Sequence, residues 1–90
     1  MERYTRTVRQ YLEDEIDGLG LTPQEINNGW CGNVAFSIAP CINGAIIHHS
    51  SMYGIKPGHT WIEVNGLHYD VECLDGTPNY MELPIFVRGQ

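Results

Sequence analysis

The stretch HTWIEVNGLHYDVE, residues 59–72, decides how the rest of the chain is read. Asn65-Gly66 at its centre suits a two-residue type I′ turn, whose two central positions both need φ above zero. The flanks, His59–Val64 and Leu67–Glu72, are rich in β-branched and aromatic residues and follow the two-residue period of a pleated strand. A two-residue turn sets the register: Val64 faces Leu67, Trp61 faces Asp70 and His59 faces Glu72. Thr60, Ile62, Val64, Leu67, Tyr69 and Val71 then share one face, read as the core face. His59, Trp61, Glu63, His68, Asp70 and Glu72 share the other, read as polar. His59 has one carboxylate opposite, Glu72, and one on the diagonal, Asp70, at about 7 Å, a gap that an imidazole bridges. A carboxylate that accepts one ring N–H leaves the other ring nitrogen free to act on a nucleophile. His68, at the turn end of the same face, is expected in solvent, and Trp61 is expected to shield the ion pair from water.

Working outward from the hairpin, Tyr4, Val8, Tyr11, Leu12 and Ile16 recur at helical spacing, which predicts an amphipathic helix over about residues 3–17, stopped by Gly18 and Gly20. Its arginines come first and its acids last, against the helix dipole, so packing of its apolar stripe must hold it. Thr22-Pro23-Gln24-Glu25 is a capping box that opens a short helical turn, broken at Asn27-Asn28-Gly29. Cys31–Ala39 is expected as a buried helix ended by Pro40, Gly44–His48 as a strand and Ser50–Gly58 as a loop. The tail from Gly76 to Phe86 is expected to wrap as an extended segment, an edge strand limited by Pro84. The fold class that results is α+β: a single domain over residues 1–90, with helices packed on one small antiparallel sheet.

Ninety residues leave room for one modest core, and a hydrophobic content of 42% is that of a packed domain, not a disordered chain. The formal charge of -6 argues against general nucleic-acid binding, which needs clustered Lys and Arg. The N-terminal residues show no apolar signal core, and no stretch approaches the roughly 20 apolar residues that span a bilayer, so no membrane partner is expected. Three cysteines, Cys31, Cys41 and Cys73, are an odd number without CxxC spacing, the pattern of reduced thiols in a cytoplasmic protein. Cys41 and Cys73 are expected to be structural. His48-His49 lacks zinc-ligand spacing, and adjacent strand residues point to opposite faces, so neither a metal nor a cofactor is expected.

Cys31 is the nucleophile candidate. It sits where the loop after Asn-Gly-Trp gives way to an apolar helix, and a helix N-terminus offers backbone N–H groups and partial positive charge that favour a thiolate and can bind an oxyanion. Gln24, Asn27 and Asn28 are candidates for a side-chain oxyanion donor. The order GWCGNVAF, then GHTWIEV, then HYDVE resembles the core shared by papain-like, NlpC/P60-type and transglutaminase-like cysteine enzymes. GHTWIEVNGLHYDVE is especially similar to the transglutaminase-like pattern, and with the LPIF ending it is similar to small prokaryotic and phage proteins. The resemblance covers roughly residues 27–86. It implies a compact papain-like or transglutaminase-like fold with Cys31 as nucleophile, His59 as general base and acid, and Asp70, over Glu72, as orienting acid. The expected activity is that of a cysteine hydrolase of peptidase or amidase type, or an acyltransferase, acting on a peptide or other amide or ester substrate. The alternative is a non-catalytic inhibitor or decoy on the same scaffold, docking on a protein partner through Arg3, Arg6 and Arg9.

Overall fold

The computed structural model describes residues 6–89, so Arg3 and the first residues of the helix expected from residue 3 lie outside the described part. Helix α1 spans Val8–Leu19. Thr7 is its N-cap, forming a reciprocal capping box with Gln10, and the helix ends at Gly20, whose φ of 67° gives the left-handed cap. Gly18 lies inside it. Helix α2, Pro23–Asn27, carries the expected Thr22/Glu25 capping box. Helix α3, Cys31–Ile38, passes into a 3-10 turn at Ala39–Cys41 that takes in Pro40.

Strands β1 (Ile46–His49), β2 (Thr60–Val64), β3 (Leu67–Asp70) and β4 (Cys73–Thr77) form one antiparallel sheet in sequence order. The central hairpin has the predicted register, with Val64 opposite Leu67, Glu63 opposite His68 and Ile62 opposite Tyr69. Asn65 and Gly66 take φ of 53° and 81°, as the type I′ turn requires. The chain is thus α+β, with helices packed on a single antiparallel sheet. Among the described residues no helix is long and apolar enough to cross a membrane.

Helices α1 and α3 cover one face of the sheet, where Leu12, Ile26, Val34, Ala35 and Ile38 meet Ile62, Val64 and Val71 in the main core. The opposite face differs from expectation. A second core covers it, in which Trp61 packs with Leu83, Ile85 and Phe86. The tail is not an extended segment beyond β4. It makes a 3-10 turn at Tyr80–Glu82 and a short helix, α4, Pro84–Arg88. Pro84 opens that helix at a position where its missing N–H leaves no intrahelical bond unmade. Trp61 and Phe86 meet edge to face at 5.5 Å, a geometry worth about 0.5–1.5 kcal/mol beyond the area buried. His68, expected in solvent, is 8% exposed beneath this cover.

The Arg face is partly engaged within the molecule. Arg6 pairs with Asp14, while Arg9 reaches across to Asp75 of β4 at 3.0 Å and to Glu13 on its own helix. Strand β4 bends where its register against β3 shifts between His68 and Asp70. Gly76, at φ 81°, lies in that bend, and a Cβ there would sit 2.8 Å from the Tyr69 ring and 3.0 Å from Leu67 Cβ. Gly76→Ala is therefore expected to lower unfolding stability by about 1–3 kcal/mol, read from urea titration. A neutral effect would remove this close approach as a constraint on the sheet.

Candidate active site

His59 is held by its backbone before its ring is considered. Its N–H donates to Ser50 Oγ at 2.9 Å and its carbonyl accepts from the Ser50 N–H at 2.9 Å, which extends the β1–β2 pairing past His49 and Thr60. Ser50 is itself buried, and no sequence signal singles it out. The imidazole is 0% exposed. It stacks on Trp61 with centroids 5.9 Å apart and meets the edge of Phe86 at 5.7 Å. Trp61 thus shields the ring as expected, with Phe86 of α4 as a second wall.

The choice between the two acids is resolved by geometry. His59 Nε2 lies 2.8 Å from Asp70 Oδ2. Asp70 Oδ1 accepts the Glu72 N–H at 2.8 Å, which fixes the plane of the carboxylate. Glu72 turns away and receives both guanidinium nitrogens of Arg88, at 2.6 and 2.7 Å, together with Asn27 Nδ2 at 2.8 Å. Arg88, then Glu72 burial and the Asn27 bond set the Glu72 carboxyl, and the net effect is a pKa below the usual range. Strict register places Glu72 opposite His59, but β3 ends at Asp70 and the chain turns there, so the diagonal contact wins.

The second ring nitrogen, His59 Nδ1, is buried with no hydrogen-bond partner among the described residues. Cys31 is the thiol beside it. The two groups make no well-aligned hydrogen bond, yet they are close enough to shift each other's protonation. Burial alone would push the Cys31 thiol up, but His59 and the backbone of Thr60 and Gly32 outweigh it and bring the thiol below its ordinary value. Burial likewise opposes charge on His59, and Asp70 and Cys31 overcome it to raise the imidazole to about 9. Cys73 behaves in the opposite way: burial, and then Asp70, push its thiol up. All three cysteines are free.

Cys31 opens α3, whose N-cap, Trp30, supplies no side-chain hydrogen bond, so the first-turn N–H groups beside the thiol are not capped from that side. The thiol also borders an open groove of about 290 Å³ that Asn27, Asn28, Gly29, Pro57, Gly58 and Ile85 complete. Of the three oxyanion-donor candidates, Asn27 is buried and lines this groove, with its amide oriented by Glu72. Asn28 lines it from an exposed position, and Gln24 does not line it. A larger hollow of about 500 Å³, bounded by residues 49–51 and 54–58, shares Pro57 and Gly58 with the groove. Cys31, His59 and Asp70 are therefore brought to one place, a lowered thiol, a raised imidazole and an anchored carboxylate, of which Cys31 alone borders the groove.

His48 and His49 diverge as adjacent strand residues should. His49 Nδ1 binds Ser51, while His48 contacts Glu63 and Tyr53 on the Trp61 side of the sheet. No known protein family, curated protein or solved structure matches the chain.

The raised His59 carries a stability consequence whose sign is fixed. A folded pKa of about 9 against an ordinary 6.5 means that the charged imidazole stabilises the fold fully below pH 6.5, and that this contribution is lost as pH rises through 9. Asp70→Asn is expected to lower stability at pH 6.5 by about 3 kcal/mol. It should also flatten the loss between pH 6.5 and 9, read from urea titrations across that window. Glu72→Gln should leave the pH dependence in place, and an Asp70→Asn curve parallel to the wild type would disconnect Asp70 from His59.

Proposed function

We propose that the chain is a cysteine-dependent hydrolase or acyltransferase of the papain-like or transglutaminase-like kind, with Cys31 as nucleophile, His59 as acid and base and Asp70 as its orienting acid. The observation that carries this reading is the buried His59–Asp70 pair, whose remaining ring nitrogen has no partner among the described residues other than the adjacent Cys31 thiol, itself held below its ordinary pKa. A structural histidine in such a place would be expected to satisfy both nitrogens, since a buried unpaired polar atom costs about 1–3 kcal/mol.

The chemistry follows from the two protonation states. The Cys31 thiolate attacks the carbonyl carbon of an amide or ester, and the carbonyl π electrons move to oxygen. Backbone N–H groups at the start of α3, with Asn27 beside them, face the developing oxyanion. Protonated His59 gives its proton to the leaving amine or alcohol as the tetrahedral centre collapses to a thioester. Neutral His59 then takes a proton from water or an incoming amine, whose oxygen or nitrogen attacks the thioester carbon. The second collapse breaks the C–S bond, expels the Cys31 thiolate beside the now protonated His59, and releases the acid or the new amide. Asp70 keeps the ring in one orientation throughout and stabilises its charged form.

Site-resolved alkylation with iodoacetamide, followed by mass spectrometry from pH 5 to 10, tests the assignment. Cys31 is expected to react with an inflection well below the 8.5 of a free thiol, and His59→Ala should return it to about 8.5 or above. At pH 6.5 the substitution should slow Cys31 alkylation about tenfold or more. A Cys31 profile that matches a free thiol and ignores His59 would rule the enzyme out.

A further inference from the structure

On the sheet face opposite α1 and α3, a second set of side chains converges away from Cys31. Register places His48 on β1 opposite Trp61, and Glu63 on β2 opposite His68 of β3, so three adjacent strands present His48, Glu63 and His68 on one face. One ligating atom from each lies within 4.8 Å of the other two. His48 Nε2 is already 2.8 Å from Glu63 Oε1. Tetrahedral zinc with ligands at about 2.0–2.2 Å needs donor atoms roughly 3.4 Å apart, within reach of small rotamer changes here. We propose that His48, Glu63 and His68 form a zinc site that ties β1, β2 and β3 together, with water as the fourth ligand.

The donor chemistry fits and makes a specific demand. Two imidazoles and one carboxylate are a recurrent zinc set. His48 can present Nε2 by shifting its ring proton to Nδ1, which then donates to Tyr53 Oη, now 2.7 Å away. Such an outer hydrogen bond fixes the tautomer of a metal-bound histidine. His68 is engaged differently: its Nδ1 accepts the Trp61 indole N–H at 2.9 Å. Indole donates only, so this bond fixes the Nδ1 lone pair and leaves the proton of neutral His68 on Nε2. Zinc can bind His68 by displacing the indole from Nδ1 or by forcing the proton from Nε2 to Nδ1. Both routes break the Trp61–His68 bond. Loading the site must therefore change Trp61, which offers a readout that zinc held elsewhere does not produce.

The chain has two tryptophans, so Trp30→Phe leaves Trp61 as the reporter. The experiment titrates zinc into the Trp30→Phe chain against a chromophoric chelator and follows indole emission in parallel. One zinc per chain is expected, with a change in Trp61 emission that saturates at the same stoichiometry. Glu63→Gln and His48→Gln keep size and polarity at partly exposed positions, and each should weaken zinc by at least the 10- to 100-fold that loss of an outer-shell partner costs. His49→Ala, on the other face, and Cys31→Ser should leave affinity within twofold. Circular dichroism checks that each variant is folded. Absence of stoichiometric binding at micromolar zinc overturns the proposal. So does binding that survives both Glu63→Gln and His48→Gln, that disappears in Cys31→Ser, or that leaves Trp61 emission unchanged.

Discussion

The burial of β2 on both faces is the constraint from which the site follows. An antiparallel sheet in a chain this small can leave one face in water, and the alternating side chains of residues 59–72 are compatible with that arrangement. Here the helices close over Ile62 and Val64, and the segment from Tyr80 to Arg88 closes over Trp61. His59 and Asp70 are thereby sealed between the sheet and α4. In that setting their 2.8 Å contact is not the weak surface pair it would be in solvent. The cost of desolvating two charges is offset only because the carboxylate has partners for both oxygens and the imidazole has a cation-stabilising neighbour on each side. Aromatic packing thus sets the electrostatics of the pair as much as the charges do.

The two ring nitrogens of His59 are held in different ways. Packing and pairing with Asp70 explain Nε2, whereas Nδ1 is buried with no well-aligned hydrogen bond among the described residues, and the Cys31 thiol beside it favours the charged ring. For the thiol in turn, burial favours the neutral form and the neighbours nonetheless favour the thiolate. Burial that opposes charge, overcome by specific charged and hydrogen-bonding neighbours, is found at functional sites and in structural ion pairs alike. Cys73 provides the internal contrast. It lies opposite Asp70 on β4, partly buried, and there burial and the acid act together to keep the thiol protonated.

How much of this was legible in the sequence depended on the range of the interaction. Asn65-Gly66 and the strand period are local, and the hairpin register followed from them down to the pairing of Ile62 with Tyr69. The Thr22/Glu25 cap was equally local, whereas the Thr7/Gln10 cap was hidden by extending the apolar pattern back to Tyr4. The exposure of His68 was misjudged because it depends on the tail, and Pro84 is equally compatible with limiting a strand or with opening a helix. Nothing short-range distinguished these. The approach of Cys31 to His59 is also a packing result, since α3 lies across β2 and no spacing rule connects residues that far apart. Asp70 prevailed over Glu72 because β3 ends and the chain turns, an irregularity that ideal register does not contain.

The tail couples cover to site through one further chain of contacts. Arg88 at the end of α4 holds Glu72 with two hydrogen bonds, and Glu72 in turn holds the Asn27 amide at the floor of the groove beside Cys31. Glu72 also contributes its backbone N–H to Asp70. One residue therefore links the helix that seals the His59–Asp70 pair, the carboxylate bonded to the imidazole and the amide that lines the groove beside Cys31. An acid that ideal strand register sets opposite the histidine instead organises the groups around it. Its bidentate geometry with arginine makes the link directional, which a lysine at position 88 would not reproduce.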